Sequence, residues 1–299
     1  VQVLIHAPTG YGKSVAAPLI ASELIQSGLS CSFIHSLPLR AIVRDVYLCL
    51  VVNSLCNNEN LRSACNKSPE ILDEVAKALK NAGLGIENVA YQMGEYLEWE
   101  DENNVPIYKD PLFSARYAVT TIDSLVYNAF RVPVTELYTY RKHYAIPRSR
   151  LFVSALYLDE VHSIIEDIGG YDNRQAPYTV LMSLLDIANA ARIPVILASA
   201  TVPRSLKDAV RKKLRDSVVV ELGREGSCAN PGVITVRDKD FENNVLNIRW
   251  KTQLVSKEDA IKTVVEQVRS GRRVFVACDT IRSAVDFYQK ISKELSQPE

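Results

Sequence analysis

Apolar residues in this chain gather in short runs, separated by stretches where they recur every three or four positions. Val1 to His6 is an apolar run of strand length, and behind it Val15, Leu19, Ile20 and Leu24 have helical spacing. Cys31 to His35 reads as a second strand, followed by an apolar-periodic helix from about Ala41 to Leu55. Tyr117 to Thr121 returns to strand character and leads into a helix from Ile122 to Phe130. The run Leu151 to Leu158, a helix from Ala176 to Ala191, the strand Pro194 to Ala198, a basic helix from Pro203 to Arg215 and the strand Val218 to Leu222 continue the alternation. Strands alternating with helices predict an α/β fold, a parallel sheet with helices on both faces.

Breaks in the pattern set the predicted boundaries. Asn57 to Gly85 is polar and helical, with Ile71, Leu72, Val75 and Leu79 on one face, and Glu95 to Asp110 is acidic and rich in turn residues. Residues 57–112 therefore read as an insertion or surface excursion rather than sheet core. Gly223 to Gly232 holds three glycines and a proline without apolar periodicity. That predicts a first domain over 1–222, a linker over 223–244 and the start of a second, incomplete domain over 245–299. The last part alternates again: Val245 to Trp250, a helix Lys257 to Arg269, a strand Arg273 to Ala277 and a helix Ile281 to Leu295. The chain opens without Met, inside its first predicted strand, and reads as a fragment.

Composition narrows the partners. A hydrophobic content of 47% over 299 residues is ample for buried cores. Basic and acidic residues number 35 each, so any nucleic-acid site has to be a local patch rather than a global field. Arg141, Lys142, Arg148 and Arg150 around Tyr144 form one such stretch, or only a solvated face. No apolar run approaches membrane-spanning length and no secretory leader opens the chain, which makes a soluble cytoplasmic protein without a membrane partner the expectation. Six cysteines show no C-x-x-C pairing and read as buried or surface thiols rather than ligands of a metal or cluster.

The chemistry is concentrated where predicted strands end. Ala7-Pro8-Thr9-Gly10-Tyr11-Gly12-Lys13-Ser14 lies between a strand and a helix, the context a phosphate-binding loop requires. Gly10 and Gly12 let the backbone curl so that successive N–H groups and the helix N-terminus face phosphates. Lys13 would reach the β- and γ-phosphates of ATP, and the Ser14 hydroxyl would bind magnesium. Asp159-Glu160-Val161-His162 ends the apolar run before it. Alone, such an acidic pair is as readily a helix start offsetting the macrodipole. Beside the loop it becomes a magnesium and water site, with Asp159 on the metal and Glu160 as general base.

Four segments stand in one order: the phosphate loop, Leu37-Pro38-Leu39-Arg40, Asp159 to His162, and Ser199-Ala200-Thr201. This set resembles the first RecA-like domain of superfamily 2 helicases of the DExH type. Asp110-Pro111-Leu112-Phe113, Thr120-Thr121-Ile122-Asp123 and Arg273 to Thr280 make it most similar to the CRISPR-associated type I helicase, although Asp279 stands where that family commonly has Asn. The resemblance implies an ATP hydrolase with Lys13, Asp159 and Glu160 in catalysis, and His162, Ser199 and Thr201 coupling hydrolysis to domain movement. It implies Arg40 and Thr121 on nucleic-acid phosphates. Single-stranded DNA, with RNA possible, an HD-type nuclease and an RNA-guided surveillance complex are the implied partners. The family's later motifs lie beyond Glu299, so nucleotide binding is expected to exceed hydrolysis. Two other readings stay open: an RNA or repair helicase of the same type, and a non-catalytic nucleic-acid-binding module.

Overall fold

The computed structural model describes residues 1–56, 58–65, 67–97, 105–130, 145–164, 175–214, 217–222, 232–246 and 252–296. Its strands are β1 (Gln2–His6), β2 (Ser32–Leu37), β3 (Val89–Gln92), β4 (Tyr117–Thr121), β5 (Ser154–Leu158), β6 (Val195–Ser199), β7 (Val218–Leu222) and β8 (Val233–Val236). They form one eight-stranded sheet in the order β3-β4-β2-β5-β6-β1-β7-β8. Every pairing is parallel. This is a RecA-like α/β architecture.

Residue alternation along each strand sorts side chains to two cores. Phe33, Ala155, Tyr157, Ile196 and Ala198 enter one core with Ala17, Ala21 and Leu24 of the helix Lys13–Gln26. Ile34, Leu156, Leu158, Val195 and Leu197 enter the other with Leu181, Leu184 and Leu185 of the helix Gln175–Ala191 and Leu206 and Val210 of the helix Arg204–Lys213. Both faces of the central strands are thus covered, which is why their sequences read as largely apolar runs rather than as an apolar–polar alternation.

On the first face, the helix Pro69–Asn81 lies against Lys13–Gln26, and the Ser22 hydroxyl donates to Ala78 O at 2.6 Å. The predicted helix after β2 is continuous in three windings: α-helical Arg40–Arg44, π-helical Asp45–Val52 and α-helical Asn53–Leu55. Its middle is nearly all apolar and buried, so the core rather than an amphipathic stripe holds it. Cys49 and Cys65 are joined by a disulfide with Cα atoms 5.1 Å apart, which corrects the expectation of thiols at those positions.

Two strands escaped the sequence reading. Val89–Gln92 falls inside the predicted insertion 57–112 but is fully buried and extends the sheet beside β4. Val233–Val236 falls inside the predicted linker and pairs with β7 at the opposite edge. Both are four residues long, too short for periodicity to separate them from loop. One compact unit accordingly runs Val1–Glu242 and a second Asn243–Glu299. In the second, the helices Lys257–Arg269 and Ile281–Leu295 form at their predicted bounds, capped by the Ser256 and Thr280 hydroxyls. The predicted strand Arg273 to Ala277 is not one: Phe275 is 92% exposed, and among the described residues of this unit there is no strand for it to pair with. Of the predicted strand Val245 to Trp250, Glu242–Leu246 is a π-helical turn, and 247–250 lie outside the described residues. The basic stretch at Arg141 and Lys142 with Tyr144 also lies outside them. No described helix is long and apolar enough to cross a membrane.

Candidate functional site

The site forms at the carboxyl ends of β1, β5 and β6, which are neighbours in the sheet though far apart in sequence. The chain leaves β1 at His6 and turns through Ala7 to Gly12 into the helix Lys13–Gln26. Gly10 and Gly12 have φ of 84° and 89°, in the left-handed region that a side chain disfavours. A Cβ at either would meet nothing within 4 Å, so conformation, not crowding, requires glycine there. The loop is sewn to the sheet by Ala7 N, which donates to Ser199 O at 3.2 Å.

Lys13 is buried, and its ammonium donates to Ala7 O at 3.1 Å and Pro8 O at 3.3 Å. It also stands 3.5 Å from Glu160 Oε1. Ser14 Oγ donates to Asp159 Oδ2 at 2.7 Å. From below, the Tyr157 hydroxyl donates to Lys13 O at 2.8 Å, tying the first turn of the helix to β5. Residues some 145 positions apart in sequence are thereby brought into direct contact.

Asp159 is 3% exposed and fixed on every side. Its N–H donates to Ser36 O at 2.9 Å, its Oδ1 accepts from Glu160 N at 3.0 Å, and its Oδ2 lies 3.6 Å from His35 Nε2. Burial works against ionisation of Asp159, but the His35 contact, the Ser14 hydroxyl and the Glu160 N–H together outweigh it and hold the carboxyl below the usual carboxylate range. Burial first, and then the Asp159 charge, push the Tyr117 and Tyr157 phenols upward, so both remain hydroxyl donors.

Glu160 has φ of 52°, a conformation rare for a residue with a side chain. Strain of this kind gathers at functional positions. Here the turn aims the carboxylate back over the loop, with Oε1 toward Lys13 and Oε2 3.1 Å from His162 Nδ1. His162 Nδ1 is closer to Ser199 Oγ, at 2.8 Å. Because Ser199 gives its own proton to Thr201 O at 2.7 Å, it accepts from His162, and Glu160 Oε2 is left without a hydrogen-bond partner. Thr201 joins through its backbone; its side chain is exposed.

Arg40 and Thr121 are placed differently. The Arg40 guanidinium is 57% exposed and bonded to the Glu95 carboxylate. Thr121 is buried, and its hydroxyl meets Ser124 Oγ at 3.0 Å and accepts from Ser124 N at 3.3 Å, capping the helix Ile122–Phe130. Neither touches the cluster around Lys13.

Sequence reasoning missed His35, Tyr117 and Tyr157, the polar layer beneath the acidic pair. A histidine within a predicted strand was the available signal. It also missed a cavity of about 130 Å³ beside the loop, lined by His6, Tyr11, Ala16, Glu221, Leu222 and Val236 among others. The Tyr11 ring meets Phe241 edge-on at 4.9 Å near this cavity, and Glu221 is held by Lys207.

No protein-family model matches the chain, and no curated protein matches it. Solved structures do match. T. fusca Cas3 aligns with a TM-score of 0.56 and 17% identity over 99% of this chain and 33% of that one. The DUF1998 helicase MrfA bound to DNA and AMPPNP gives 0.53 and 12% over 98% of this chain and 34% of that one. A Dbp5 variant of S. cerevisiae bound to RNA and ADP BeF3 gives 0.52 and 15%, covering 98% and 56%. The chain shares the fold of these proteins, and it spans 33% of the length of the Cas3 chain.

Proposed function

We propose that this chain carries the nucleotide site of an ATP-dependent superfamily 2 translocase, acting on single-stranded DNA in CRISPR interference alongside an HD-type nuclease and an RNA-guided surveillance complex. The observation that supports it most is the clasp of Ser14 on Asp159 at 2.7 Å, with Lys13 and Glu160 facing each other at 3.5 Å. A structural turn has no need of two such pairs.

In this reading, Lys13 exchanges the Ala7 and Pro8 carbonyls for phosphate oxygens of ATP, and the loop N–H groups with the following helix N-terminus cradle the rest. The donor set beside it suits magnesium: an ionised carboxylate and a hydroxyl, both hard oxygens. Ser14 and Asp159 would hold the ion, which when bound neutralises charge developing on the phosphate oxygens. Glu160, whose Oε2 has no hydrogen-bond partner though it lies 3.1 Å from His162 Nδ1, takes a proton from the attacking water. His162 stands between that carboxylate and Ser199, so a change at Glu160 passes to the Ser199–Thr201 turn that follows β6. The cavity lined by Tyr11 and Glu221 is where the nucleoside end would lie.

The test is binding of a fluorescent ATP analogue by the full chain, followed by phosphate release with single-stranded DNA, single-stranded RNA or neither. DNA-stimulated turnover that Glu160→Gln abolishes while binding persists is the expected result. Absence of binding overturns the nucleotide site. Stimulation by RNA alone favours the second reading, an RNA helicase; the Dbp5 variant, solved with RNA, is nearly as similar in fold as MrfA, solved with DNA.

A further inference from the structure

His35 lies at the centre of the sheet, on β2 between Val119 of β4 and Tyr157 of β5, and is fully buried. Its Nδ1 is 3.3 Å from the Tyr117 hydroxyl, and its ring meets the Tyr157 ring edge-on at 5.0 Å. Its Nε2 has no hydrogen-bond partner and lies 3.6 Å from Asp159 Oδ2. A buried ring nitrogen left a few tenths of an ångström short of a carboxylate is costly unless the gap closes in some state of the protein.

The groups around the ring favour one tautomer. Nε2 faces an acceptor-only carboxylate, which draws the ring proton to that nitrogen and leaves Nδ1 to accept from the Tyr117 hydroxyl. Asp159 is then gripped from several directions. Glu160 N holds Oδ1, Ser14 pulls Oδ2 toward the phosphate loop, and His35 pulls the same oxygen toward the sheet. Remove His35, and Ser14 alone pulls on Oδ2 while Glu160 N still holds Oδ1, so the carboxylate can tilt about its terminal torsion toward the phosphate loop. An oxygen ligand whose plane turns no longer presents its remaining lone pair in a fixed direction.

We propose that His35 is a positioning residue for Asp159, whose Nε2–H holds the carboxylate in the orientation that binds a divalent cation together with nucleotide. The inference rests on the nucleotide reading given above for the role of Asp159, but the contact itself is testable without any ligand. Partners that orient metal-binding groups are typically worth about 10- to 100-fold in metal affinity.

Three variants separate positioning from mere packing: His35→Leu removes the donor, His35→Gln returns an amide N–H near the Nε2 position, and His35→Asn returns one only near Nδ1. Binding of a fluorescent ATP analogue is titrated with Mg²⁺. The expected result is that Leu and Asn raise the Mg²⁺ concentration for half-maximal binding by about tenfold or more. Gln stays near wild type, and all four proteins bind metal-free nucleotide alike. Should Leu fail to fold, Gln against Asn still decides. In the ligand-free chain, a thermal-unfolding cycle of His35→Gln, His35→Asn and Asp159→Asn is expected to be additive for Gln with wild-type-like stability and non-additive for Asn. Equal Mg²⁺ requirements in Gln and Asn, or an additive cycle for Asn, overturn the proposal. Failure of the wild type to bind nucleotide at all overturns the nucleotide reading instead, and the ligand-free cycle then decides the His35 contact alone.

Discussion

Two groups of residues lie at the same edge of one sheet and were assembled differently. At the ends of β1, β5 and β6, Lys13 and Ser14 meet Asp159 and Glu160, and His162 meets Ser199. At the ends of β2 and β4, Arg40 pairs with Glu95 and Thr121 with Ser124, three positions along its own chain. In the first group each polar side chain is completed by residues distant in sequence, and it is buried or half-buried. In the second, an exposed ion pair and a local helix cap suffice. Convergence from several elements, rather than the presence of charged residues at strand ends, is what distinguishes a built site from a surface that only carries charge.

The largest expected consequence is in stability. Asp159→Ala removes the acceptor of the Ser14 hydroxyl and of the Glu160 N–H, both part-buried, and a buried group left without its partner costs about 1–3 kcal/mol. The variant should therefore lose at least about 2 kcal/mol in urea unfolding. Arg40→Ala removes one exposed ion pair and should lose less than about 1 kcal/mol. Equal losses would show that the acidic cluster is no more integrated than the surface.

Next comes ligand affinity. Lys13 makes charge-assisted bonds, to the Ala7 and Pro8 carbonyls here and to phosphate in the proposed complex. Bonds to charged groups contribute about 1.5–3 kcal/mol. Lys13→Ala should weaken binding of an ATP analogue about tenfold or more, measured by fluorescence titration, whereas Arg40→Ala should leave it unchanged. A loss shared by both would merge the two groups into one site.

How much of this was readable beforehand follows the same division. The loop from Ala7 to Gly12 and the acidic tetrad were legible as strand-end features because each combines several residue types in a fixed local order, after a strand that periodicity identifies. The central strands were legible because both faces are buried. β3 and β8 were not, since edge strands of four residues carry too few positions to show a pattern. Arg273 to Ala277 failed in the opposite way: the sequence has strand character, but a strand exists only with a neighbour to bond. Whether an arginine at a strand end is free for a ligand or already satisfied depends on Glu95, brought beside Arg40 from 55 positions away by the chain's course past β3. No local pattern around Arg40 records that.

A smaller effect is expected from pH. The Asp159 carboxyl is held below its usual range, so its contribution to stability is fully present above the unfolded carboxylate value of about 4 and fades as pH falls toward the lower folded value. The stability difference between wild type and Asp159→Asn, followed by urea unfolding from neutral to acid pH, should therefore stay constant down to about pH 4 and narrow below it. A gap that widens in acid would mean that burial, not its partners, governs this carboxyl.

The smallest effect concerns the other group and offers the sharpest comparison. Glu95 occupies the guanidinium that the helicase resemblance assigns to nucleic-acid phosphate, and both side chains are more than half exposed, so screening keeps their bond weak. Glu95→Gln keeps the size of the side chain and removes its charge. If Arg40 is a phosphate contact held in check by Glu95, the variant should bind single-stranded DNA a few-fold more tightly at low salt, by fluorescence anisotropy of a labelled oligonucleotide. Its affinity should also fall more steeply with salt, the slope growing by about 0.7 for one added phosphate contact. Adding Arg40→Gln should abolish both changes. If Glu95→Gln alters neither affinity nor slope, Arg40 belongs to the surface rather than to the nucleic-acid path, and the DNA contacts must be sought on other strand ends of this edge.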